Sequence, residues 1–207
     1  MKVVIATHNK DKLNEIKDEF GDLCFEMVSL KEFPKIKEII EDGYTLEENA
    51  LIKARTVFKK TGLPTISDDT GLEVDALEGG PGVYTARYAG EGCSYEDNVS
   101  KMLKDMIKIP MPNRVAEFKT VMVFKDENKE LIVEGVVKGI VCREARGEDG
   151  FGYDPIFLVP ELDKTFAEMT MSEKNNISHR GNAIRNLIES LKAQYPHYIN
   201  QADKEMA

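Results

Sequence analysis

Val115-Ala116-Glu117-Phe118-Lys119-Thr120-Val121-Met122-Val123-Phe124 is the stretch that decides the fold. Ala116, Phe118, Thr120, Met122 and Phe124 alternate with Val115, Glu117, Lys119, Val121 and Val123, the period of two that belongs to a long β-strand. Asp126-Glu127-Asn128-Lys129 turns the chain, and residues 131–142 form a partner, so the two make an antiparallel hairpin. Upstream the pattern differs. Val3-Val4-Ile5-Ala6 is a continuous apolar run, as in a strand buried on both faces, and Thr7-His8-Asn9 breaks it. From Lys10 to Phe20 the apolar residues Leu13, Ile16 and Phe20 recur at helical spacing. Early strand–helix units joined to a late hairpin predict an α/β fold with a mixed sheet rather than a purely parallel one.

Phe25 to Leu30 reads as a second strand, followed by an acidic connection with Glu38, Glu41 and Asp42. Thr45 and Glu48 form a capping box that starts a helix running to about Lys60, with Leu46, Ala50, Ala54, Val57 and Phe58 inward. Asn49 and Lys53 lie four apart on one face of it, and a solvated face is the usual explanation for such a pair. Ser94 caps a further helix over 95–107 that turns Val99, Met102, Leu103 and Met106 inward. The last helix starts near Ser178-His179-Arg180 and runs through Ala183, Ile184, Leu187, Ile188 and Leu191. The chain reads as a single domain over 1–195 with a frayed tail over 196–207.

Three stretches carry chemistry. Thr65-Ile66-Ser67-Asp68-Asp69-Thr70-Gly71 is a short β-prone run ending on two adjacent carboxylates. Like charges so close resist burial. A solvated turn capped by Asp68 or Asp69 answers the problem, and so does a divalent cation; oxygen-only ligands suit Mg²⁺. At Thr7-His8-Asn9 the residues cap the first helix, or that helix N-terminus receives a phosphate with Lys10 and Lys12 at hand. Gly150-Phe151-Gly152-Tyr153-Asp154-Pro155 sets aromatics among glycines; Phe151 and Tyr153 anchor a loop, or an aromatic face stacks on a nucleobase. Neither a P-loop nor a Rossmann glycine pattern is present.

At 207 residues, 42% hydrophobic and 31% charged, the chain can bury an ordinary core. A net charge of −9 argues against a general nucleic-acid binder. A small polyanion would need only a local cluster of lysines and a metal. The chain opens on a β-like run without a signal sequence and holds no apolar stretch long enough to span a bilayer, so a cytoplasmic protein without membrane partners is expected. Cys24, Cys93 and Cys142 are far apart and odd in number, which predicts reduced thiols.

Taken in order, Thr7-His8-Asn9-Lys10-Asp11-Lys12, Glu48-Asn49-Ala50 with Lys53-Ala54, Ser67-Asp68-Asp69-Thr70-Gly71, and Gly150 to Pro155 followed by Glu173-Lys174 and Ile177-Ser178-His179-Arg180 closely resemble the inosine/xanthosine triphosphate pyrophosphatase family over residues 2–192. The resemblance implies hydrolysis of deaminated purine nucleoside triphosphates (ITP, dITP, XTP) to the monophosphate and pyrophosphate. It also implies an elongated mixed central β-sheet flanked by helices, two lobes around a substrate cleft, a Mg²⁺ cofactor and a homodimer. Carried over, Thr7, Asn9, Lys12 and Lys53 hold the phosphates, and His8, Lys10 and Asp11 of the same turn are substrate-binding with them. Asp69 is the metal-linked general base, Asp68 supports it, and Thr70 touches the substrate. Phe151, Gly152, Tyr153, Asp154, Lys174, His179 and Arg180 enclose the nucleoside. One position departs from the family pattern: Ile40 stands where many members carry a metal-binding glutamate, so Glu41 is carried as the second metal ligand, with Glu38 the alternative.

The chemistry suits these residues independently. Attack of water on the α-phosphorus needs neutralised phosphates and a proton acceptor, which Lys12, Lys53, the metal and Asp69 supply. Inosine and xanthosine present an acceptor at purine C6 where adenosine presents an amine, so Arg180 or a backbone N–H aimed there selects the oxo form by roughly 10⁴ or more. The competing readings are a pyrophosphatase for other modified nucleoside triphosphates, a nucleotide-sensing module without turnover, and a structural α/β protein with acidic loops.

Overall fold

The computed structural model describes residues 1–21, 25–37 and 39–195. Cys24, the alternative metal ligand Glu38 and the tail 196–207 lie outside the described residues. The main elements are β1 (Lys2–Ile5), α1 (Lys10–Phe20), β2 (Glu26–Ser29), α2 (Leu46–Thr61), β3 (Thr65–Val74), β4 (Pro81–Gly82), α3 (Tyr95–Asp105), β5 (Val115–Lys125), β6 (Glu130–Val141), β7 (Phe157–Val159), β8 (Lys164–Thr165), α4 (Met171–Ile177) and α5 (His179–Gln194). The strands pair in the order β2-β1-β3-β5-β6-β7-β8, with β4 on β3. β1 is parallel to β2 and β3, whereas β4 is antiparallel to β3 and β7 to β6 and β8. The sheet is therefore mixed, as the sequence predicts. A four-residue connection between neighbouring strands β5 and β6 makes a hairpin, since a parallel crossover needs a dozen residues or more.

The chain divides into two compact units, the first comprising Met1–Asp69, Thr120–Gly135 and the chain from Arg180, the second Thr70–Lys119 and Val136–His179. In the first unit, period-two alternation along β1 sends Val3 and Ile5 to one face and Val4 to the other. Val3, Ile5 and Ile66 pack with Ile16 and Phe20 of α1 and Ala183, Ile184, Leu187 and Leu191 of α5. Val4 and Ala6 pack with Val28 and with Val57 of α2. Both faces are covered, which is why the β1 run is uniformly apolar. The same physics explains β5: buried residues alternate with exposed or half-buried ones through its first half, in the second unit, whereas Val121 to Phe124 in the first unit are all buried.

In the second unit, Leu72 and Val74 of β3 join Met102 and Met106, Phe118, Phe157, Phe166 and Met169 in a core. Arg114 is 1% exposed there because its guanidinium donates to the carbonyls of Met106, Ile109, Val141 and Cys142. Among the described residues, Cys142 is buried, Cys93 half-buried, and both are free thiols. No helix of the described residues is long and apolar enough to cross a membrane.

Two expectations change. Thr65 to Val74 is one continuous ten-residue strand, so Asp68 and Asp69 stand in mid-strand and not on a turn. Asn49 and Lys53 are buried, 2% and 6% exposed, so their shared face is not solvated. The last helix starts at His179, directly after Ser178, as expected; a separate helix, α4, precedes it, with Thr170 and Glu173 forming its capping box and Ser178 its C-cap.

Candidate active site

β3 brings the acids to the site. Adjacent strand residues face opposite ways, and Asp68 and Asp69 accordingly meet different helices. On the side of Ile66, the Asp68 carboxylate accepts from Lys12 Nζ of α1 at 2.9 Å and from Arg180 Nε of α5 at 3.5 Å. Arg180 also pairs with Glu15, one turn of α1 below Lys12. On the side of Ser67, whose hydroxyl donates to the Ala50 carbonyl at 2.6 Å, Asp69 meets α2. Its Oδ1 accepts from Lys53 Nζ at 2.9 Å and its Oδ2 from Asn49 Nδ2 at 3.3 Å. The same Lys53 ammonium donates to Glu41 Oε2 at 2.6 Å. Helices on both faces thus answer two adjacent charges that a strand would otherwise tolerate poorly.

The titration behaviour follows from this arrangement. Burial alone would push the Asp68 carboxyl up, but Lys12, Arg180 and Lys53 outweigh it and hold it well below the usual carboxylate range. Burial alone would pull Lys53 down, and the carboxylates of Asp69, Glu41 and Asp68 reverse that, keeping it charged. Glu41 goes the other way: burial, aided by the nearby Asp69, pushes its carboxyl up despite Lys53.

At the head of α1, Asn9 is the N-cap, its Oδ1 accepting from Asp11 N at 2.9 Å and Lys12 N at 3.2 Å. Thr7 Oγ1 accepts from Asn9 N at 3.1 Å. Both residues therefore shape the turn that sets Lys12 beside Asp68, while His8 and Lys10 are exposed on it.

In the second unit, the Gly150 to Asp154 segment is built around one carboxylate. Asp154 Oδ2 accepts from Phe151 N at 2.8 Å and from the buried Lys174 Nζ at 2.7 Å. Lys174 also lies over the Phe151 ring, 4.6 Å from its centroid. Gly150 has φ +77°, and a Cβ there would fall 2.2 Å from Asp154 Oδ2, so only glycine permits the approach. Tyr153 donates to the Thr85 carbonyl at 3.0 Å, and burial pushes its phenol up. His179 stacks on Phe118, with centroids 4.5 Å apart and planes at 14°. Gly152 lies within the same segment at φ +64°, and Thr70 is half-buried on β3.

The sequence-predicted residues thus fall into two groups: Thr7 to Lys12, Glu41, Lys53, Asp69 and Arg180 in the first unit, and Thr70, Phe151 to Asp154, Lys174 and His179 in the second. Arg180, expected at the nucleoside, has its guanidinium on Glu15 and Asp68 instead. Sequence spacing marks neither Glu15 nor Asn49 as a site residue, yet Glu15 pairs with Arg180 and Asn49 with Asp69. A buried acid on a charged helix and a buried amide look like solvated positions when only spacing is read. Glu48-Asn49-Ala50 within the recognised motif was the one signal for Asn49.

Among the described residues no three His, Cys, Asp or Glu side chains gather as a metal-holding group. Glu41 and Asp69 do share one cation, the Lys53 ammonium, and two carboxylates with the remaining positions left to water and phosphate are what Mg²⁺ accepts. The donor set fits that ion.

Carboxylates and ammonium groups converging on a mixed α/β sheet are the equipment of a phosphate-handling site. The chain belongs to the Ham1 family, whose model matches residues 3–190. It is 48% identical over 187 residues to the dITP/XTP pyrophosphatase of Thermoanaerobacter pseudethanolicus, covering 90% of this chain and 94% of that protein. It is 44% identical over 196 residues to the dITP/XTP pyrophosphatase of Vibrio parahaemolyticus, covering 93% and 98%. The structure of the Staphylococcus aureus Ham1 protein matches with a TM-score of 0.84 at 39% identity, over 94% of this chain and all of that one. A HAM1 protein from Coxiella burnetii matches with a TM-score of 0.86 at 40% identity, over 93% and 99%.

Proposed function

We propose that this chain hydrolyses the deaminated purine nucleoside triphosphates ITP, dITP and XTP to the monophosphate and pyrophosphate, removing them from the nucleotide pool. The observation that carries the mechanism is Asp69, a buried mid-strand carboxylate whose two oxygens are held by Lys53 and Asn49 and which shares Lys53 with Glu41. Asp69 orients the attacking water and takes its proton on a carboxylate oxygen. The water oxygen bonds to the α-phosphorus as the bond to the bridging oxygen breaks, and pyrophosphate leaves with that electron pair. Lys12 and Lys53 neutralise phosphate charge. Thr7, Asn9 and the turn they cap, with His8, Lys10 and Asp11, set Lys12 in place. Mg²⁺ held by Asp69 and Glu41 supplies further neutralisation of the phosphates when bound.

Phe151, Gly152, Tyr153, Asp154, Lys174 and His179, with Thr70, take the nucleoside. Since the Arg180 guanidinium is engaged with two carboxylates, selection of the 6-oxo purine falls to a backbone N–H, and Arg180 acts by holding Asp68. A homodimer and a cytoplasmic location belong to the same proposal, and light scattering of the purified chain tests the first. Residues 1–195 act as one catalytic domain in this reading. The test of function is pyrophosphate release across ITP, XTP, dITP, GTP, ATP and pyrimidine triphosphates with Mg²⁺. The deaminated purines are expected to turn over fastest, and hydrolysis of ATP and GTP as efficient as that of ITP overturns the proposal.

A further inference from the structure

We infer that Asn49 is a positioning residue that holds Glu41 and Asp69 on one shared cation, a role that rests on reading those two carboxylates as the metal ligands. Asn49 lies in the first turn of α2 and is 2% exposed. A buried amide is costly unless its polar atoms are bonded. Both ends of this one are: Oδ1 accepts from the backbone N–H of Gly43 at 2.9 Å, and Nδ2 donates to Asp69 Oδ2 at 3.3 Å. A backbone N–H can only donate and an ionised carboxylate can only accept, so its two neighbours fix which way the amide points.

Gly43 stands two residues from Glu41. A Cβ at position 43 would fall 2.7 Å from Asn49 Oδ1 and 2.7 Å from Glu48 Cβ, so the loop approaches α2 as closely as it does only because that residue is glycine. Tyr44 N and Thr45 N donate to Glu48 Oε2 at 2.6 and 3.2 Å, bonds that belong to the start of α2 and not to the Gly43–Asn49–Asp69 link. Lys53, the cation that Glu41 reaches, is one turn further along α2 on the same face as Asn49. One amide therefore ties the loop that carries the first carboxylate to the strand residue that carries the second. It holds Asp69 Oδ2 and leaves Oδ1 toward the shared cation.

The competing view is that Asn49 merely satisfies a loop N–H. Binding of Mn²⁺ alone, followed by its paramagnetic signal, separates the two for the folded wild-type chain and for Asn49→Leu, Gly43→Ala and Thr45→Ala. Outer partners of metal ligands typically contribute 10–100-fold in affinity, so Asn49→Leu is expected to weaken Mn²⁺ by about that factor. Gly43→Ala, which perturbs the same link from the loop side, should weaken it in the same direction. It keeps the test decisive if Asn49→Leu fails to fold. Thr45→Ala removes the helix cap without touching this link, and is expected to lower the melting temperature while leaving Mn²⁺ affinity unchanged. Wild-type affinity in folded Asn49→Leu or Gly43→Ala overturns the inference, as does an equal loss in Thr45→Ala. A wild-type chain that binds no Mn²⁺ overturns the metal reading beneath it.

Discussion

Replacing Lys53 with methionine removes the one ammonium that Asp69 and Glu41 share and leaves two carboxylates facing each other. The side chains of Lys53 and Asp69 are 8% and 12% exposed, so this is a buried pair, whereas Glu41 at 33% is partly relieved by water. Breaking a buried pair costs about 3–5 kcal/mol. Because Glu41 is half-solvated and Asn49 still donates to Asp69, the lower end applies. About 3 kcal/mol corresponds to a fall of about 6–12 °C in melting temperature for a chain of this size. Mg²⁺ should reverse the loss. In the wild type the ion must displace the ammonium from the carboxylates, while in Lys53→Met the carboxylates stand uncompensated. The variant therefore gains more melting temperature from Mg²⁺ than the wild type does. Turnover nevertheless falls, because a cation for the phosphates is gone. Thermal melts with and without Mg²⁺ on both proteins supply the measurement. An equal or smaller Mg²⁺ shift in Lys53→Met, or an unchanged melting temperature without the ion, refutes the reasoning.

Asp69→Asn keeps the side-chain shape but offers one acceptor oxygen where the carboxylate offers two, so either Lys53 or Asn49 loses its bond; it cannot accept a proton, and it should fold with a lowered melting temperature and lose about 10²–10⁴ in turnover, read by pyrophosphate release. Asp68 predicts an acid limb of stability. Its folded carboxyl titrates below the unfolded value of about 3.9, so its contribution is full above that value and is lost as pH falls toward the folded one. Denaturant melts at descending pH should show a steeper limb in the wild type than in Asp68→Asn, which keeps only the part due to the other depressed carboxylates such as Glu173 and Asp126. Gly150→Ala forces Asp154 off Phe151 N or Lys174, at φ +77° and with a 2.2 Å contact. Losing one charge-assisted bond, about 1.5 kcal/mol, raises KM for ITP about tenfold, with kcat less affected.

The elements whose signals are local were legible in the sequence. The Thr45 and Glu48 capping box starts α2 where spacing places it, the β5 alternation makes the hairpin, and the apolar stripe of α5 packs as expected. The signal for α4 was equally local, Thr170 followed three residues later by Glu173, but its seven-residue length gives no apolar period to notice. Mid-strand Asp68 and Asp69 were not legible, because acids are depleted from strands and only cations arriving from distant helices make the position tolerable. The same distance hid the partners of Arg180: it lies 112 residues from Asp68 and 165 from Glu15 in the chain. The family resemblance grouped it with its neighbour His179 at the nucleoside, whereas its guanidinium pairs with Asp68 of β3 and Glu15 of α1.

Hydrolysis of ITP in heavy-oxygen water tests the central claim most directly, because the position of the label reports which phosphorus the water attacks. Attack on the α-phosphorus, oriented by Asp69, puts the heavy oxygen in the monophosphate and leaves the pyrophosphate unlabelled. Label in pyrophosphate, or release of inorganic phosphate in place of pyrophosphate, would contradict it.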